Sequence, residues 1–410
     1  MSWKKGQGYE ASYCASLERV EEEKRRQREE LSREWSDPPG PASKRCCPQC
    51  GKMVSIKARH VERTILTGIG EVTYRRHHYW CPSCRHGFFP KDNELGFDEE
   101  NLTGDTAGWA LDFVMSETFA ASSERMALHH DISISPTRLL HLFQRKSQAI
   151  SDSSTPCPPH HLCLDESDDP RPVVVEIDGS MVRRTDGWRE VSLLSVQHLG
   201  DAHWSYLSDF DKQRLESQMS QSRGFDRLGK QEVLWIADGS AWIWNMKERL
   251  CPIAKELLDY YHAMQHAHEA AKALFGDTDA CAKLFADRIA HLLMEGGIEQ
   301  LFDELKECIP YQPGTEEAKK DAAILWPLLE YYEKNRNRLN YQQFRANCWP
   351  LGSGSVESAH KRVIQKRMKQ AGMKWSPENA QRMASMRALY CSVGPKSFLQ
   401  AVEQYSNMAA

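Results

Sequence analysis

No stretch of the chain approaches the ~18 consecutive apolar residues that a membrane span needs. The N-terminus "MSWKKGQGYEASYC" has no apolar signal core, so the protein is expected to stay in the cytosol. An excess of positive charge is missing too: a net charge of −4 excludes a uniformly basic coat for nucleic acid. There is no internal repeat, no heptad pattern for a zipper, and no Ser, Tyr or Cys nucleophile motif of the kind that forms covalent intermediates. Nor is the cysteine count even. Thirteen cysteines, four of them in two Cys-x-x-Cys pairs, point to metal before disulfides. What remains has the composition of a soluble globular protein, 40% apolar and 27% charged, and its 410 residues exceed one simple core.

The charge that is present is segregated. Residues 44–92 hold ten Lys and Arg against three acids, and residues 358–392 hold eight against Glu378 alone. Local patches of this kind set where a polyanion can dock. Residues 17–34, "LERVEEEKRRQREELSRE", have too few apolar side chains to bury a face. They predict a solvated helix, closed by the linker "SDPPGPAS", so that residues 1–44 form a charged helix and linker.

In residues 45–95, Cys47 and Cys50 are followed at a distance by Cys81 and Cys84. Thiolates two residues apart form a knuckle that sets both sulfurs on one tetrahedral ion, and two knuckles close a structural zinc site. The intervening "HVERTIL-TGIG-EVTYRRHHYW" alternates like two strands around a turn, which predicts a zinc ribbon. Cys46, His77, His78 and His86 are near enough to compete as ligands. Residues 96–152 read as helices, with Ser135 and Pro136 opening the last. A helix-turn-helix with Thr137, Arg138, His141, Arg145 and Lys146 facing DNA and an ordinary helical packing unit both fit.

After a Pro- and Asp-rich linker (153–170), residues 171–262 turn to strands. "PVVVEIDGSMV" is an apolar run reaching Asp178, and "EVLWIADGSAWIWNM" repeats the pattern with Asp238. Continuous apolar strands suit a sheet buried on both faces, and ligands gather at strand C-terminal ends. Residues 263–350 are helical. In residues 351–410, "GSGSVESAHKRVIQKRMKQAGMKWS" delivers Glu357 onto the first turn of a basic helix. Two strand-end aspartates and a helical glutamate are the oxygen donors that a pair of hard divalent ions needs for in-line displacement at phosphorus. Lys361, Arg362, Lys366, Arg367 and Lys369 are placed to neutralise flanking phosphates, with Arg75 and Arg76 of the ribbon as further DNA-facing candidates. Trp242 and Trp244 could stack on an unpaired base or belong to the core.

The order of ribbon, helical segment, "EIDGSMV", "WIADGSAWIW", "LLDYYHAMQH", helical insertion and "GSGSVESAHKRVIQKRMKQAGMKWS" resembles the DDE transposases of bacterial insertion sequences, closest to the ISKra-type relatives of the Mutator superfamily. The resemblance spans roughly residues 45–395. It implies a multidomain α/β protein with an RNase H-like core, an all-helical insertion, and Asp178, Asp238 and Glu357 as a catalytic triad holding magnesium or manganese beside the structural zinc. It further implies DNA transposition in a bacterial cytoplasm, DNA ends and target as partners, a homodimer or larger assembly on DNA, and no membrane. Mutator relatives often carry Cys-x-x-His after the second Asp. Here Asp259 and His262 hold those positions, as supporting groups. An RNase H-like nuclease without strand transfer and a catalytically retired DNA-binding protein are the alternatives.

Overall fold

The computed structural model describes residues 6–40, 43–97, 100–151, 170–222, 224–277, 279–309 and 314–409; the linker expected at 153–170 lies almost wholly outside them. The protein is a multidomain α/β chain that divides into two compact units, Met1–Phe143 and Gln144–Ala410.

The first unit opens with helix α1 (Gly6–Trp35). Short strands β1 (Arg45–Cys46) and β2 (Met53–Val54) pair antiparallel, and β3 (Ile56–Thr67), β4 (Gly70–Cys81) and β5 (His86–Phe88) form an antiparallel meander. The predicted two strands around "TGIG" are β3 and β4, and the turn closes through Thr67 Oγ1 donating to the Gly70 carbonyl at 2.7 Å. Helix α1 departs from expectation, because it packs on β4 despite having no apolar face. Polar side chains reaching strand backbone do this work: Arg28 donates to the Ile69 carbonyl at 2.6 Å and Ser32 to that of Thr73 at 2.5 Å. Trp35 anchors the end against Tyr74 and Phe97. Helices α2 (Pro90–Glu94), α3 (Gly104–Ser116) and α4 (Phe119–His130) follow, and α5 (Pro136–Ser151) begins in this unit. Thr118 caps α4, and the Arg138 amide donates to Ser135 Oγ at 3.2 Å, as the Ser-Pro pair predicts.

The second unit is built on strands β6 (Val173–Arg184), β7 (Gly187–His198), β8 (Ser205–Asp209), β9 (Val233–Ala237) and β10 (Lys255–Leu258), in the order β10-β9-β6-β7-β8. The β6–β7–β8 pairings are antiparallel, whereas β9 and β10 run parallel to β6. Helices α6 (Lys212–Gln221), α7 (Phe225–Leu228) and α8 (Ala241–Leu250) supply the apolar partners of one sheet face, where Val173, Val175, Ile177 and Trp235 are buried. The other face, with Val174, Leu234 and Ile236, shares a core with α9 (Tyr260–Phe275), α10 (Ala280–Glu295), α11 (Ile298–Cys308), α12 (Glu316–Lys334) and α13 (Tyr341–Ala346). The described part of residues 263–350 is helical as expected, and the first of these helices begins inside the expected core segment because Asp259 caps it. Both sheet faces are covered, which is why these strands read as unbroken apolar runs. Trp235 is the largest fully buried side chain. Trp235→Ala is expected to lower the unfolding free energy by about 3–5 kcal/mol in a denaturant titration, from lost burial and the cavity left behind.

The chain closes with α14 (Gly354–Ala359), a π-helical turn (His360–Gln365), α15 (Lys366–Met368) and α16 (Pro377–Ala409), which is kinked at Gly394 and Pro395.

Candidate functional site

The pairing of β6 with β9 ends at Ile177 and Ala237, and that of β9 with β10 at Ala237 and Leu258. The next residue on each strand is Asp178, Asp238 or Asp259. Asp238 and Asp259 therefore directly follow the last residues of β9 and β10, whereas Asp178, expected at a strand end, lies within β6 where its pairing with β9 stops and its pairing with β7 runs on to Arg184. Each is held by local amides. Gly179 N donates to Asp178 Oδ1 at 2.7 Å; Ser240 donates to Asp238 through N at 2.8 Å and Oγ at 3.0 Å; Tyr261 N and His262 N donate to Asp259 Oδ1 at 2.6 and 3.1 Å. Trp244 is buried and its indole N–H donates to the Asp238 carbonyl at 2.9 Å, so it braces the strand end from the core. Trp242 is partly buried against the same core, with the Lys212 ammonium over its ring at 4.5 Å.

Burial pushes the Asp178 carboxyl above its usual range, and the Asp238 charge adds to the rise, while His360 and His262 oppose it. The Nε2 atom of His360 lies 3.6 Å from Asp178 Oδ2. The ring is buried, and neither nitrogen makes a hydrogen bond to a described residue.

Glu357 stands on α14 with an exposed side chain, paired with Lys361 at 3.2 Å. Its carboxylate is not gathered onto the aspartates at ligand spacing. Among the described residues, the four cysteines are the one group of three or more His, Cys, Asp or Glu whose donor atoms all lie within 4.8 Å of one another.

Sequence reading missed Glu176. It lies two residues before Asp178 on β6, so strand alternation puts both side chains on one face. Buried, it accepts from Ser355 Oγ at 2.6 Å on each oxygen and from Val356 N at 2.8 Å. Burial pushes its carboxyl up to about 7 against the lowering effect of these donors. Asp259 Oδ2 accepts from Ser353 N at 2.6 Å and from Ser353 Oγ, so the expected supporting carboxylate also reaches the turn before Glu357. Gly352 fits there because a Cβ would meet the Tyr261 ring at 2.6 Å and Asp259 Oδ1 at 3.2 Å.

The basic side chains divide. Lys361 and Lys366 are exposed, and Lys369 donates to Ser180 Oγ at 3.0 Å. Arg362 donates to the Tyr206 hydroxyl at 2.7 Å. Arg367 does not face outward as expected. It is fully buried with its guanidinium 5.0 Å from the Trp375 ring centre, and burial lowers its pKa to about 10. In the first unit Arg76 is likewise turned inward, onto Asp92 and over the Phe89 ring, because it follows Val72 and Tyr74 in alternation on the buried face of β4. Arg138 donates to the Glu100 and Asn101 carbonyls at 2.9 and 3.0 Å, so it serves the packing of its own unit. Arg75 is exposed and paired with Glu62, Arg145 is exposed, and Lys146 is half-buried. Arg367→Ala should therefore cost about 2–4 kcal/mol of stability, whereas Lys361→Ala, at an exposed position, should leave it nearly unchanged; melting curves of the two variants check this.

The cysteines are the second centre. Each pair sits on a hairpin turn: Gly51 N donates to the Cys47 carbonyl at 2.9 Å, and Cys81 and Cys84 flank the β4–β5 turn. Cys47 and Cys84 sulfurs are 3.9 Å apart, and those of Cys50 and Cys81 3.6 Å. Such a cluster could hold one structural metal ion such as zinc. The competing groups are engaged elsewhere: Cys46 touches Met53, His77 packs on His60, His78 on Phe89 and His86 on Phe88.

No protein-family model matches the chain, and no curated protein matches it.

Proposed function

We propose that this chain is a DDE-type DNA transposase that cuts transposon ends and joins the freed 3′-hydroxyl to target DNA. The observation that carries the reading is the row of aspartates on three adjacent parallel strands, Asp178 within β6 and Asp238 and Asp259 just after β9 and β10, tied to the turn from which Glu357 starts a basic helix. A mixed sheet interrupted by a helical insertion between the second aspartate and the glutamate fits the RNase H-like core that the resemblance implies.

The donor set fits hard divalent cations. Asp178, Asp238 and Glu357 offer only carboxylate oxygens, and the mutual repulsion of Asp178 and Asp238 is the kind that a cation relieves. Magnesium or manganese, when bound, would supply Lewis-acid activation of the attacking oxygen and stabilisation of the leaving one. The chain's own residues do the rest. Lys361 and Lys366 neutralise phosphates flanking the scissile bond, Trp244 and Ser240 fix Asp238, and His360 and His262 flank Asp178. Water is the nucleophile for cutting and the DNA hydroxyl for joining, so no protein nucleophile is required.

The four-thiolate cluster is the closed zinc site of a ribbon, a structural element for DNA binding rather than catalysis. Joining two ends requires a dimer or larger assembly on DNA. A nuclease of the same fold is disfavoured by the separate first unit, which cutting alone does not need. A retired DNA-binding protein is disfavoured by the intact acids. Incubation with a labelled duplex of the element's own end and a supercoiled target in magnesium separates the three. Joined product supports the transposase, cut product alone the nuclease, and binding without cutting the retired protein.

A further inference from the structure

Glu357 is the one acid of the triad that is carried on a helix. The N-cap residue Ser353 makes no side-chain bond to its own helix, so α14 starts without the local device that usually satisfies its first amides. Two carboxylates from the sheet take that role. Glu176, from the middle of β6, accepts from the Val356 amide and the Ser355 hydroxyl; Asp259, from the end of β10, accepts from the Ser353 amide and hydroxyl. Both acids are buried. Carboxyl oxygens accept hydrogen bonds from the first amides of a helix, which have no partner within it. The turn is also pressed from outside, because Gly352 lies against the Tyr261 ring and leaves no room for a side chain.

Immediately beyond Ala359 the helix widens into a π-helical turn starting at His360. Such turns shift the helical register and are frequent at functional sites. Upstream of Glu357 the chain is thus tied to β6 and to the end of β10, and downstream His360 Nε2 lies 3.6 Å from Asp178 Oδ2.

We propose that Glu176, together with Asp259, is a positioning residue: the two carboxylates clamp residues 352–356 and so set where Glu357 stands relative to Asp178 and Asp238. Neither holds metal or touches DNA. The inference rests on the transposase reading for its consequence but not for its test, since the clamp can be read in the protein alone.

The experiment compares the full chain with Glu176→Gln and Glu176→Ala, by hydrogen exchange on peptides covering 350–358 and by cleavage kinetics. Glu176→Ala removes the acceptor of the Val356 amide, so exchange there should quicken roughly tenfold or more while β9 peptides stay protected. Glu176→Gln keeps an amide oxygen that can accept, and should retain most of the protection. The kcat for cleavage should fall about 10²-fold in Glu176→Ala with KM for DNA unchanged, as for a misplaced reacting group, and recover in part in Glu176→Gln. If Glu176→Ala does not fold, Ser355→Ala removes one donor only and should show the same pattern more weakly. Unchanged exchange at 350–358 in either truncation overturns the clamp. Faster exchange with unchanged kcat overturns the positioning role. A wild-type chain that never cuts overturns the transposase reading while the exchange result still decides the clamp.

Discussion

Asp178→Asn, Asp238→Asn and Glu357→Gln are each expected to lower DNA cleavage by roughly 10³-fold or more, with DNA affinity nearly unchanged. Each substitution keeps the shape of the side chain and removes one negative charge, so the fold and the basic surface survive while a hard oxygen donor is lost. Asp238→Asn is the sharpest of the three. Its local hydrogen bonds from Ser240 end on both carboxylate oxygens, and an amide in that place must turn a donor toward one of them. Gel-shift and cleavage assays on the same preparations test the pair of outcomes. Cutting that survives in any of the three variants removes that residue from the catalytic set.

Metal removal should have the largest effect on stability. Four thiols brought within 4.8 Å in a unit with a small apolar cluster of Cys47, Val54, Tyr79, Cys81 and Phe88 leave little else to hold the hairpin turns together. Structural zinc sites of this type contribute on the order of 10–16 kcal/mol of apparent binding free energy at neutral pH. The purified chain is expected to carry one zinc per molecule. A strong chelator, or Cys47→Ser with Cys84→Ser, should unfold the hairpins of the first unit and abolish specific DNA binding. The second unit, with its own core, should keep its melting transition. Binding by the metal-free chain equal to that of the loaded one would contradict this.

Much of this architecture is legible in the sequence for physical reasons that can be named. Apolar runs that stop at an acid followed by Gly announce buried strands, and both β6 and β9 do so at Asp178 and Asp238. The paired cysteine spacing announces its cluster in the same way. Glu176 was not legible, because inside "VVVEID" it looks like a break in an apolar run. Its partners lie 179 and 180 residues further on, where no local pattern points back to it. Arg367 could have been found. Val363, Ile364, Arg367 and Met368 fall at helical spacing on one buried face, and counting charge along the segment hid that periodicity. Arg76 could have been found as well, because Val72, Tyr74 and Arg76 alternate on one face of β4, ahead of the register shifts. The docking of α1 escaped for a third reason: it depends on side-chain bonds to strand backbone and on one tryptophan, which hydrophobic patterning does not detect.

The central claim is that the carboxylates of Asp178, Asp238 and Glu357 act on DNA through a hard metal ion at the scissile phosphate. Sulfur substitution of a non-bridging oxygen of that phosphate tests it most directly, because magnesium avoids the softer sulfur and manganese tolerates it. Cleavage of the substituted end by the wild-type chain should fall at least about tenfold in magnesium and recover in manganese. Equal cleavage of both sulfur isomers and the unmodified end in magnesium, with no benefit from manganese, would contradict the account.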